Sequence, residues 1–181
     1  MADGRPDPVG LLFRYFLDER RRTLFPPGAR VLEIGAGADA TGGTFDGAWA
    51  GPGALDGMEP QRLAPWLAGA LGPGAPLLLC VRNPRPLPAL VARALTGTGE
   101  SWRGAASPSP RDLREALGAA FSWHGGFALG LLLPASERCG WVAERPQVFG
   151  LLAAGGALLR RWPVLRGLGA FAALEGTRAG R

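Results

Sequence analysis

A carboxylate set two residues ahead of a glycine turn is the first arrangement in this chain that could do chemistry. Glu33-Ile34-Gly35-Ala36-Gly37 closes the apolar run Val31-Leu32. Glycines at such a turn let backbone approach a ligand closely, and in open α/β sheets ligands bind beyond the carboxyl ends of strands. Glu33 could equally make a salt bridge to a nearby arginine. Asp39 lies in the same loop, Asp46 at the head of the next apolar run, and Asp56 and Glu59 in the loop after it. Asp56 and Glu59 are the nearest acids that could take a proton. His124 is the single histidine, which rules out a multi-histidine metal centre, and it reads as an ordinary polar position near a strand. Cys80 and Cys139 have neither metal-ligand spacing nor a disulfide framework. Cys80, inside Leu77-Leu78-Leu79-Cys80-Val81, reads as a small buried hydrophobe.

The elements that must position these residues follow from periodicity. Val9, Leu12, Phe13, Phe16 and Leu17 recur at three- and four-residue steps, which predicts a helix that Pro26-Pro27-Gly28 stops. Tyr15 and Phe16 on it could cap a pocket, with core packing the simpler role. Arg30–Ile34 reads as a strand, Thr44–Ala50 as a second, Gln61–Leu71 as a helix, and Pro76–Val81 as a strand covered on both faces. Leu87–Leu95 is helical. Ser109 as N-cap with Pro110 behind it starts a helix to Phe121. Phe121–Leu133 holds one or two strands broken at Gly125-Gly126. A core helix spans Val148–Leu159, and a last strand lies near Phe171–Leu174. Strands alternating with helices give an α/β layered fold with a mainly parallel sheet.

With 181 residues, the chain suits one domain, and 47% hydrophobic residues suffice to bury a core. The 29 glycines and 17 prolines are scattered between apolar runs, as loops and caps require. All 20 basic residues are arginine and the net charge is +5. Arg20–Arg22 and Arg160–Arg161 lie far apart in sequence, so no clustered basic face for nucleic acid is expected. Met1–Val9 carries Asp3 and Asp7 and no apolar leader run, and Val148–Leu159 is shorter than the roughly 20 residues of a membrane span. The expectation is a cytoplasmic, reduced setting with no membrane partner.

The longer stretch Pro26-Pro27-Gly28-Ala29-Arg30-Val31-Leu32-Glu33-Ile34-Gly35-Ala36-Gly37 resembles motif I of the class I S-adenosylmethionine-dependent methyltransferases. Phe45-Asp46-Gly47-Ala48-Trp49-Ala50, followed by Gly53-Ala54-Leu55, is similar to that family's fourth strand and the loop after it. Leu71-Gly72-Pro73-Gly74-Ala75-Pro76-Leu77-Leu78-Leu79 is similar to its loop into strand five. The resemblance implies a Rossmann-like fold, S-adenosylmethionine as cofactor, and a small-molecule substrate. It implies cofactor contacts from Glu33, Gly35, Ala36, Gly37, Asp39 and Ala50, and a structural role for Asp46.

The sequence departs from the family at one place. Only Ala38–Thr44 separate Gly37 from Phe45, where the family has a helix, strand two, another helix and strand three. That block supplies the acid that grips the cofactor's ribose. Removing strands two and three from the family order 3-2-1-4-5-7-6 leaves 1-4-5-7-6 contiguous. Eight extended peptide steps reach roughly 26 Å, enough to double back beside a short strand but not to form a crossover helix. Strand one then pairs through a bare loop, or differently, antiparallel or with another chain. As an edge it invites a partner, so a homodimer or protein contact is expected there.

The expectation is therefore a truncated Rossmann-like methyltransferase domain over 1–181, with about five mostly parallel strands. Residues 1–28 form its helix and linker, 29–133 the sheet core, and 134–181 the last helices and strand. Two functions follow from it: methylation of a small molecule, or a catalytically inactive scaffold or regulatory subunit.

Overall fold

A computed structural model describes residues 8–35, 43–84, 86–96, 107–133 and 145–180. In chain order the elements are α1 (Pro8–Leu24), β1 (Val31–Ile34), β2 (Gly47–Ala50), α2 (Pro60–Ala70), β3 (Pro76–Arg82), α3 (Leu87–Thr96), α4 (Pro110–Leu117), β4 (Phe121–Leu129), α5 (Pro146–Leu159) and β5 (Phe171–Arg178).

The unbroken apolar run forms β3, and Leu77 to Val81 are all buried, as a strand with helices on both faces requires. The sheet has five strands in the order β1-β2-β3-β5-β4. This is the order expected from deleting strands two and three of the resembled family. Alternate side chains feed two cores. Leu32, Ile34, Leu77 and Leu79 meet Leu63 and Leu67 of α2 and Leu113 and Leu117 of α4. Leu78, Cys80, Phe127 and Leu129 meet Val9, Phe13 and Leu17 of α1, with Leu152 and Ala153 of α5 packed alongside.

The β1–β2 pair is parallel, with Glu33 registered on Trp49 and Ile34 on Ala50. Of the pairings open for strand one, the parallel neighbour is the one formed. Asp46 fixes its start: its Oδ2 accepts from the Arg30 backbone N–H at 2.8 Å, and its own N–H donates to the Arg30 carbonyl at 2.9 Å. Among the described residues β1 is an edge strand.

The expectation of a mostly parallel sheet is corrected: the sheet is mixed. β1–β2 and β2–β3 are parallel, while β5 runs antiparallel to both β3 and β4. The chain enters β5 at Phe171, beside Arg82 and Leu129 at the carboxyl ends of both neighbours, so it can only run back down.

Three local differences have physical causes. The helix expected to reach Phe121 ends at Leu117, because Gly118 at φ +47° turns the chain. Phe121–Leu129 is one strand across Gly125-Gly126, its ladder shifting register between Trp123 and Gly125. Gly126 sits at φ +150°, where a Cβ would collide with the Ala173 carbonyl, so glycine is what keeps the strand continuous. The core helix expected over Val148–Leu159 forms as α5, yet none of its residues is buried. It lies on the surface beside α1, presenting Leu152, Ala153 and Gly156 inward.

Candidate functional site

Glu33 and Trp49, being register partners, emerge on the same face of the sheet near the carboxyl ends of β1 and β2. α1 crosses that face above them. Between α1 and the strand ends lies a cleft of about 480 Å³, lined on the sheet side by Glu33, Trp49, Arg82 and Phe171, and on the helix side by Phe13, Arg14, Asp18 and Arg21. Such a volume suits a small-molecule ligand.

The cleft has mixed chemistry. Glu33 is exposed, so its carboxylate is open to a ligand. The Arg21 guanidinium lies over the Trp49 ring, 5.5 Å from its centroid, and Arg82 lies 5.4 Å from the Phe171 centroid. These stacked arginines hold their charge against aromatic faces. Asp56 Oδ2 is 3.9 Å from Arg82 Nη2, a loose ion pair.

Unmet hydrogen-bonding capacity collects here. Trp49 is 7% exposed, and among the described residues nothing accepts from its indole N–H. Arg82 Nε is buried and likewise without an acceptor, and Asp56 Oδ1 lacks a donor. An unpaired buried donor costs about 1–3 kcal/mol, and a ligand carrying acceptors would relieve it once the Trp49 or Arg82 side chain shifts toward the cleft.

Of the residues singled out in the sequence, Glu33 lines this cleft. Gly35 is half-buried just beyond β1, and among the described residues a Cβ there would meet nothing within 4 Å. Ala50 is fully buried in the core on the α2 side, away from the cleft. Ala36, Gly37, Asp39 and Cys139 lie outside the described residues. Asp46 serves the β1–β2 junction. Glu59 is exposed and pairs with Arg62 at 2.7 Å beside α2. His124 is on β4, with Nε2 2.7 Å from Thr177 Oγ1, and is exposed. Tyr15 points to solvent at 64% exposure, and Phe16 packs beneath Arg160, whose guanidinium is 4.0 Å from the ring centroid.

Trp49, Arg82, Arg21 and Phe171 were not anticipated. Arg82 had a signal: it is the charge that closes an otherwise apolar strand, a placement that puts it at the strand's carboxyl end. Arg21 had none, because its position depends on how α1 crosses the sheet.

No family model matches the chain, and no curated protein matches it. Among solved structures it is similar to the [4+2]-cyclase SpnF, with 17% sequence identity, 99% of this chain and 85% of that chain covered, and a TM-score of 0.53. That likeness is one of fold.

Proposed function

We propose that this chain is a methyltransferase-like protein that binds a small molecule in the cleft beneath α1, with S-adenosylmethionine as the ligand whose amino-acid end the cleft fits. The observation that carries the reading is the pairing of an open acceptor, Glu33, with two buried donors lacking acceptors, Trp49 Nε1–H and Arg82 Nε–H. An α-amino acid group needs both kinds of partner: Glu33 would hold the ammonium, and Arg82 with Trp49 the carboxylate. The strand order, the acid on β1 and the shared fold with SpnF support the same reading.

The bound cofactor supplies an electrophilic methyl group. The chain's own part is to hold the ligand against aromatic walls and align an acceptor atom, since proximity can supply much of the acceleration without a strong base. Asp18, exposed on the α1 wall of the same cleft, is a second acid in its lining beside Glu33.

Calorimetric titration with S-adenosylmethionine and S-adenosylhomocysteine tests this. Micromolar binding of both, abolished by Glu33→Ala, is the expected result. Absence of heat and of any thermal shift at millimolar ligand overturns it.

A second reading has its own observation. β1 is a short edge strand with one side unpaired among the described residues, which favours a scaffold or regulatory subunit that pairs with a second copy or another protein. Light scattering that finds only the single-chain mass at micromolar concentration would count against the second copy.

A further inference from the structure

The surface helix α5 is apolar on the side it shows to water. Every residue from Val148 to Leu159 is apolar or glycine, yet none is buried. Leu151, Ala154 and Leu158, at three- and four-residue steps, form an exposed stripe, with Leu151 at 75% and Leu158 at 79% exposure. Just past the helix two more large apolar side chains, Trp162 and Val164, are 60% and 83% exposed. A helix at the surface of a globular protein normally turns polar residues outward. This one turns leucines.

The charges around the stripe select what covers it. From Pro146 to Ala170 the chain carries Arg160, Arg161 and Arg166 and no acid, while Arg145 at the start of the helix follows Glu144 in sequence. Arg160 is used internally, 3.7 Å from Glu19 and stacked on Phe16, but Arg145 and Arg161 are exposed at opposite ends of the helix. The basic surplus lies at the C-terminal end of the helix, where exposed Arg161 is followed by Trp162, and an anionic surface meets that end favourably. With 14 residues, α5 is too short to span a bilayer, and none of the described helices is long and apolar enough to do so. A short apolar stripe ending in Arg-Arg-Trp matches the needs of a helix lying in the interface, leucines among acyl chains and Trp162 and the arginines at headgroup level.

We propose that the α5 face, Leu151–Leu158 with Trp162 and Val164, docks this protein onto an anionic lipid surface. This stands apart from the ligand reading of the cleft and replaces the expectation of no membrane contact.

The test is co-sedimentation of the full chain with vesicles of phosphatidylcholine alone and of phosphatidylcholine mixed with phosphatidylglycerol. Binding is expected to the mixed vesicles, weakening as salt is raised. Leu151→Glu and Leu158→Glu are each expected to weaken it about tenfold or more, with an unchanged thermal midpoint because both positions are exposed. Equal pelleting of the parent chain and these variants overturns the proposal, as does absence of binding to the mixed vesicles. Sedimentation velocity showing a dimer that Leu151→Glu dissociates, without lipid, assigns the face to a second copy and equally overturns it.

Discussion

Arg20 on α1 grips Glu175 on β5 with two hydrogen bonds, Nε to Oε1 at 2.8 Å and Nη2 to Oε2 at 2.6 Å. The pair ties the helix that roofs the cleft to the strand in the middle of the antiparallel half of the sheet. Its hydrogen bonds hold the Arg20 pKa above the ordinary arginine value, against the pull of partial burial. The Glu175 side chain is only 14% exposed, so its carboxylate depends on this partner.

Arg20→Met is expected to cost about 3 kcal/mol, because it strands a mostly buried carboxylate. Arg20→Met with Glu175→Leu together should recover most of that loss. Urea unfolding of both single variants and the pair checks it. A double variant as unstable as Arg20→Met would show that the pair contributes more than mutual neutralisation.

The start of α4 is closed by a reciprocal pair of bonds. Ser109 Oγ accepts from the Asp112 N–H at 3.2 Å, and Asp112 Oδ2 accepts from the Ser109 N–H at 3.1 Å. Ser109→Ala should destabilise the fold by about 1 kcal/mol. Hydrogen bonding of its carboxylate to Ser109, through the side chain first and the backbone N–H second, holds the Asp112 carboxyl below its ordinary value. A carboxyl lowered on folding contributes stability above its unfolded pKa and loses it as pH falls through the folded one. The stability gap between the parent and Asp112→Asn should therefore be present at neutral pH and close in acid, below the ordinary carboxylate range. Urea midpoints across that range measure it.

Gly126→Ala should be among the most damaging small substitutions, at about 2–3 kcal/mol or more, since alanine at φ +150° meets the Ala173 carbonyl. Gly57→Ala is a milder comparison: its φ of +78° also strains alanine, yet among the described residues nothing lies within 4 Å of the added carbon. The larger loss of thermal midpoint at Gly126 measures the collision together with its more extreme φ.

Cys80 is fully buried, and desolvation pushes its thiol well above the ordinary cysteine range. Iodoacetamide should leave it unmodified in the folded protein and label it on unfolding, as mapped by peptide mass spectrometry. Rapid labelling under native conditions would mean that β3 is less enclosed than the packing of Leu78 and Phe127 indicates.

The elements most legible in the sequence were those fixed by local chemistry. Leu77–Val81 reads as a doubly covered strand because nothing polar interrupts it, and Ser109-Pro110 announces a helix start. The reversed direction of β5 was not legible, because it depends on where the chain returns after α5. The outward face of α5 was hidden for a related reason: a wholly apolar helix looks like core, and only the position of α1 and β4 decides which side stays uncovered. At the site, Glu33 was found because an acid before a glycine turn is a local pattern. Trp49, Arg21 and Phe171 meet it only through tertiary packing. Their types carried no positional information until the helix was laid across the sheet.

Among the described residues, β4 joins the rest of the sheet only through β5, a strand made some forty residues later. During synthesis on the ribosome, β4 therefore emerges with no ladder to join and must wait for residues 171–178 before its hydrogen bonds can form. Until then the nascent chain exposes the flank of β3 as well, so the interval between these two strands sets the period when this protein most needs a chaperone.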